Sequence, residues 1–234
     1  GLRLYVARNQ HKTVETDDLR YAMEEASGLS LERFFKQWCM RPGVPHIDVN
    51  LEWDSASAKL KVDLKQTQNI DGYNPAFFFD LPVWIKCGNG PREGQWFSIP
   101  MDGRTASATF DLQSEPTIVA VDPNLAVLAD VHLSQPAERW INQINEGPTV
   151  AAKLQAIDAL SAMAASGAKL PSEAGGTLAA IAKSSQAFHS VRTSAAGALA
   201  KVGTTEQYLR AFKPGVDDAR VRIALTEHAS EVYK

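Results

Sequence analysis

The chain has 234 residues, enough for one large domain or two smaller ones with real hydrophobic cores. Its formal net charge of −3 and charged fraction of 22% exclude a strongly basic nucleic-acid surface and an acidic disordered tail. No apolar run approaches the roughly 18 residues that a bilayer-crossing helix needs, so neither nucleic acid nor membrane is expected as a partner.

The first 45 residues carry helical apolar spacing. Leu2 to Asn9 supply about two turns. Leu19, Ala22, Met23 and Ala26 then lie three to four apart on one face, with Thr16 as N-cap and Gly28 as the stop. Ser30 is expected to cap a second helix whose inner face is Leu31, Phe34, Phe35 and Trp38, ended by Pro42-Gly43. Helices this short bury too little apolar surface to form a domain, and no initiator Met precedes them. The expectation is therefore that residues 1–45 are the helical end of a larger domain. Burying a large apolar side chain is worth roughly 1.5–3 kcal/mol. Leu19, Met23, Phe34, Phe35 and Trp38 are thus expected to fold back onto the β-sandwich that follows or to bury against a second copy.

From residue 46 the period changes to two. Ile47, Val49, Leu51 and Trp53 alternate with Asp48, Asn50 and Glu52. After the turn residues Asp54-Ser55-Ala56-Ser57, Leu60, Val62 and Leu64 alternate with Lys59, Lys61, Asp63 and Lys65. These are two half-buried strands joined as a hairpin. Further strands are predicted at 77–81, 83–87, 95–99, 106–112 and 117–121. Gly88-Asn89-Gly90, Asp102-Gly103 and Ser114-Glu115-Pro116 are the turns, and Asp122-Pro123 closes the series. Seven short strands at this spacing indicate an antiparallel β-sandwich over residues 46–133.

A hinge at Ser134-Gln135-Pro136 opens an alanine-rich helical zone, 134–234, with Pro136 suited to a first helical turn. Helices are predicted at about 136–146, 149–166, 172–184, 188–202, 205–212 and 217–233. Gly147-Pro148, Gly167, Gly203 and Pro214-Gly215 separate them. Val191-Arg192, Ala195 and Ala198-Leu199 echo Val221-Arg222 and Ala224-Leu225. More faintly they echo Val150, Lys153, Ala156 and Ala159-Leu160. Small residues at this spacing let paired helices approach, as in a HEAT-like solenoid. The expected fold is α+β and multidomain: a helical remnant, a sandwich, then an all-α domain.

The residues that carry chemistry are sparse. None of His11, His46, His132, His189 and His228 belongs to an HExxH helix, which would set two imidazoles beside a general base. His228 and Glu231, three apart, read as an exposed polar face, and His46 as an edge histidine. There is no GxSxG turn, and neither Cys39 nor Cys87 has a histidine close in sequence. Both cysteines read as buried free thiols, which favours a reducing, cytoplasmic compartment. Gly175-Gly176 and Gly88-Asn89-Gly90 read as turns or helix ends, Lys59, Lys61 and Lys65 as a solvated face, and Phe77-Phe78-Phe79 as packing. No catalytic, cofactor-binding or metal-ligating residue is assigned.

Residues 1–53 carry Gly1-Leu2, Leu4-Tyr5, Thr16, Asp18-Leu19, Ala22-Met23-Glu24, Ala26-Ser27-Gly28, Leu31, Phe34-Phe35, Trp38, Gly43, Pro45 and Val49. In these the chain resembles the closing segment of the catalytic domain of the M1 family of zinc aminopeptidases. Asp122-Pro123 with Leu128 resembles that family's sandwich ending. The resemblance implies the same order of domains and a zinc-dependent parent that releases N-terminal residues from peptides. It also implies that the catalytic residues lie upstream, in a missing N-terminal part of the same chain, with this stretch as buttress and cap. Tyr5 corresponds to a structural aromatic position. Arg192, Arg220 and Arg222 have the chemistry to hold a peptide carboxylate, but no motif aligns them with that role, and a structural repeat arginine is the simpler reading. Two alternatives stand beside this: a non-catalytic scaffold of the same architecture, and a protein-interaction module built on the helical repeats.

Overall fold

The helical period at the start of the chain folds as α1 (Leu2–Asn9), α2 (Thr16–Ser27) and α3 (Glu32–Trp38). The computed structural model describes residues 1–88, 93–212 and 216–232. Its first compact unit comprises Gly1–Val44 with Asn69–Phe77, and its second Pro45–Gln68 with Phe78–Lys234.

In the first unit α2 is capped one residue earlier than expected. Glu15, not Thr16, is the N-cap, in a reciprocal capping box with Asp18 whose carboxylate accepts the Glu15 N–H at 2.9 Å. Gly28 ends the helix at φ +72°, a left-handed conformation that glycine adopts without strain. Ser30 does not cap α3. Leu31 takes that position, and its N–H is held by the Glu24 carboxylate at 2.7 Å. In α3, Phe35 and Gln37 are buried while Phe34 is 53% exposed. Of the five residues expected inside, Phe35 alone is fully buried, and Leu19, Met23 and Trp38 are half-buried. Trp38 packs on Phe77 with ring centroids 5.1 Å apart, and the Arg41 guanidinium lies 3.8 Å from the same ring. Cys39, at the C-cap of α3, is exposed, against the expectation of a buried thiol; Cys87 is half-buried, and both are free.

The second unit holds two sheets. One has the order β5-β2-β1-β7 and the other β4-β3-β6. The strands are β1 (His46–Asp54), β2 (Lys59–Gln66), β3 (Phe79–Cys87), β4 (Gln95–Met101), β5 (Thr105–Asp111), β6 (Pro116–Val121) and β7 (Asp130–Leu133). The hairpin of β1 and β2 forms as expected, with Trp53 opposite Leu60. Two expectations are corrected. The stretches 77–81 and 83–87 are one strand, β3, in which Pro82 survives because its missing N–H falls where the β6 ladder ends. Beyond that ladder the Pro82 carbonyl still accepts the Asp122 N–H at 2.8 Å. The sheets are also not wholly antiparallel: the unforeseen β7 lies parallel to β1, with His46 opposite Asp130 and Asp48 opposite His132. The inward residues of both sheets, among them Ile47, Leu60, Val62, Leu81, Val83, Ile99 and Val119, form one shared core.

The helices that follow are α4 (Ala137–Glu146), α5 (Val150–Ala165), α6 (Ser172–Lys183), α7 (His189–Val202), α8 (Thr205–Phe212), α9 (Ala219–Glu227) and α10 (Ala229–Val232). The helix expected over 217–233 is thus interrupted at His228, the C-cap of α9. Gly175 and Gly176, expected in a turn or at a helix end, are the fourth and fifth residues of α6. Asn89, Gly90, Pro214 and Gly215 lie outside the described residues. The helices form two layers, in which α4 touches α6 and α6 touches α8, while α5 touches α7 and α7 touches α9. Ile144, Ile157, Leu160, Leu178, Leu199, Tyr208 and Leu225 fill the core between the layers. Sheets and helices also meet: Trp84 of β3 and Ile118 and Ala120 of β6 bury Ala152 of α5. Across the same junction Asn142 donates to the Thr117 carbonyl at 3.2 Å, and Lys86 pairs with Glu146. Among the described residues no helix is long and apolar enough to cross a membrane.

Candidate functional site

The junction of sheet and helices leaves a cleft of about 920 Å³. One wall is the β1–β7 edge, contributing Asp48, Asp130 and His132; the other is α4 and α5, contributing Trp140, Gln143, Gln155 and Asp158, with Gln135 from the connecting segment. Its polar groups are incompletely paired. The Gln143 side chain is fully buried and donates to the Ala152 carbonyl at 2.8 Å, while its Oε1 has no partner among the described residues. Neither Oε1 nor Nε2 of Gln135, 8% exposed, has one. Partial burial pushes the Asp158 carboxyl above the ordinary carboxylate range.

The strand wall carries the group of side chains richest in potential ligands. Ile47 and Val49 point into the core, so His46 and Asp48 face outward. On β7 Val131 and Leu133 pack against the core, so Asp130 and His132 share that outer face. Nδ1 of His46 lies 3.1 Å, and Nε2 of His132 3.2 Å, from the same carboxylate oxygen, Oδ2 of Asp130. The three potential ligand atoms all lie within 4.8 Å of one another. The Asp130 backbone is tied down in turn, its N–H donating to the Pro45 carbonyl at 2.9 Å.

His46, read from the sequence as a plain edge histidine, is therefore one corner of this triad. Sequence reasoning missed it because β7 was not foreseen; only Asp130 and His132, two apart, hinted at a shared strand face. His228 and Glu231 are brought together at 2.9 Å, with His228 packed so closely on Gly197 that a Cβ there would lie 3.0 Å from its Nε2. The arginines are occupied structurally. Arg192 is buried, donating to the Ala182 carbonyl at 3.2 Å and to Asp217 at 2.7 Å. Arg220 pairs with Asp218, and Arg222 donates to the Val216 and Asp217 carbonyls. The solvated lysine face is realised, with Lys59 beside Asp111 and Lys61 beside Asp63.

No family model matches the chain. Over 94 residues, 40% of this chain and 10% of the relative, the sequence is 29% identical to a puromycin-sensitive aminopeptidase of Caenorhabditis elegans. The fold is similar to the crystal structure of Legionella pneumophila aminopeptidase A in complex with aspartic acid. That match has a TM-score of 0.64 and covers 97% of this chain and 26% of that one, at 14% identity. The chain thus spans about a tenth of the curated relative and about a quarter of the solved one.

Proposed function

We propose that this chain is a C-terminal, non-catalytic part of an M1-like zinc aminopeptidase, which releases N-terminal residues from peptides. The fold likeness to an aminopeptidase along 97% of the chain is the observation that carries this reading. The 94-residue sequence match to a second aminopeptidase supports it independently. In this reading residues 1–45 are the helical end of the catalytic domain, 46–133 a β-sandwich and 134–234 a HEAT-like domain. The shared core of the two sheets supports the sandwich, and the two layers of alternate helices support the HEAT-like description.

The family's catalytic zinc, held by an HExxH helix and a distant glutamate, does not fit the residues present. The candidate ligands sit on two strands, with no helical pair of imidazoles and no glutamate among them. The chain's contribution is positional: the sheets support, and the helical layers cover, a catalytic centre supplied from elsewhere in the protein. The purified chain, given zinc and an aminoacyl amide, is expected to show no turnover, whereas zinc-dependent release of the amine would overturn the proposal. The gene sequence upstream of Gly1 separates enzyme from scaffold: an intact HExxH with its later glutamate marks the enzyme, and its loss marks a non-catalytic relative.

A further inference from the structure

We propose that His46, Asp130 and His132 form a binding site for a divalent transition-metal ion of the zinc type. The inference goes beyond the aminopeptidase reading and stands without it, since all three donors lie on strands of this chain.

The donor set comes first. Two imidazoles and one carboxylate are ligands that zinc, nickel and copper accept, whereas calcium and magnesium favour sites richer in oxygen. Geometry is the second argument. A tetrahedral zinc ion with bonds of about 2.0–2.2 Å holds its ligand atoms roughly 3.3–3.6 Å apart. The two nitrogen–oxygen separations here, 3.1 and 3.2 Å, are within a few tenths of an ångström of that spacing. Both imidazoles approach the same carboxylate oxygen, and all three donor atoms lie within 4.8 Å of one another.

The backbone supplies the third argument. His46 and Asp130 are opposite one another in a parallel ladder, and His132 is two residues beyond Asp130, so one pleated face presents all three. Asp48 lies opposite His132 in the same ladder. The side chains are 46–62% exposed, so ions enter freely and a fourth position faces water. Asp130 and His132 also line the cleft, so a carboxylate ligand at that fourth position would sit at the cleft's rim.

The test uses the whole chain, free of any tag and stripped with a chelator. Zinc chloride is titrated by calorimetry, and cobalt(II) by its visible absorption. One zinc per chain is expected, with an intense tetrahedral cobalt spectrum that zinc abolishes and magnesium does not. His46→Ala and His132→Ala should each weaken zinc binding at least about tenfold, while His228→Ala should leave it unchanged. Should a variant fail to fold, the imidazole NMR signals of the unaltered chain decide, because zinc must shift those of His46 and His132 before those of His11, His189 or His228. Unchanged affinity in the folded His46 and His132 variants, or first shifts elsewhere, would overturn the proposal whatever the peptidase assay shows.

Discussion

Replacing Arg192 by methionine asks whether a buried guanidinium clamps the helical layers together. Arg192 is 3% exposed, and its Nε donates to the Ala182 carbonyl at 3.2 Å. Ala182 lies in the last turn of α6, where carbonyls have no partner within the helix, so Arg192 supplies a missing donor. A second bond runs to the Asp217 carboxylate at 2.7 Å. Methionine keeps the aliphatic stem and removes both bonds. A hydrogen bond from a charged donor is worth about 1.5–3 kcal/mol. Asp217 is 61% exposed, so solvent screens its share. Arg192→Met should therefore lower stability by about 2–3 kcal/mol, mostly through the Ala182 bond. At about 2–4 °C per kcal/mol for a chain of this size, that is a fall of roughly 4–12 °C in Tm.

Urea unfolding followed by far-ultraviolet circular dichroism measures the loss. Arg192→Lys should fall between the two, because it keeps the charge and loses the fork. Asp217→Asn should cost only a small part of the Arg192→Met deficit, and the double variant should be little worse than Arg192→Met alone. The pH dependence has a definite sign. The guanidinium holds the Asp217 carboxyl below the ordinary range, so this contribution is present above the unfolded aspartate pKa and is lost as pH falls through the lowered folded value. Acid should therefore narrow the gap between wild type and Arg192→Met. A stability within about 0.5 kcal/mol of wild type, or an Asp217→Asn loss equal to that of Arg192→Met, would refute the reasoning.

The neighbouring glycines of α6 should respond in opposite directions. A Cβ on Gly175 would lie 2.9 Å from the Gly203 Cα and closer still to Gln207. Gly175→Ala should therefore destabilise by about 1–3 kcal/mol. Gly176 is exposed with nothing nearer than 4.0 Å, so Gly176→Ala should stabilise by about 0.5–1 kcal/mol; urea midpoints test both, and equal effects would contradict the packing. Asp158 is exposed as a residue, yet partial desolvation pushes its carboxyl up, so a small penalty is absent below the unfolded aspartate pKa and complete above the folded one. Asp158→Asn should raise Tm at pH 7 and lose that advantage in acid, and a gain that grows on acidification would reverse the assignment.

What the sequence disclosed follows the range of the interactions involved. The alternation from Ile47 to Trp53 and from Leu60 to Leu64 places one face inward, and the hairpin forms with that register. The helices of residues 137–212 start and stop within two residues of their expected bounds, because Gly147, Gly167 and Gly203 punctuate a local period. Where local signals competed, the structure chose differently. Glu15 and Thr16 both offer side-chain oxygens that can cap a helix, and the carboxylate won through its reciprocal bond with Asp18. Pro82 looked like a strand break, and only the end of the β6 ladder makes it tolerable. The triad was the least legible feature, since 84 residues of chain separate His46 from Asp130 and nothing local announces a parallel pairing.

That pairing explains how so short a strand shapes both the cleft and the triad. β7 is four residues long, and a slip of one residue would turn Asp130 and His132 into the core and Val131 and Leu133 out. Leu133 forbids the slip with particular force because it packs against both the sheet core and the helical core. Only three residues intervene before α4 begins, so the register that places Leu133 also sets the helices against β6 and opens the cleft beside β1. The outward positions are fixed as a by-product of apolar packing on the inward ones. His46, Asp48, Asp130 and His132 thus spring from a two-by-two array of backbone positions on the outward face. In the proposed site a cation would meet donors whose backbone positions are already set by the core.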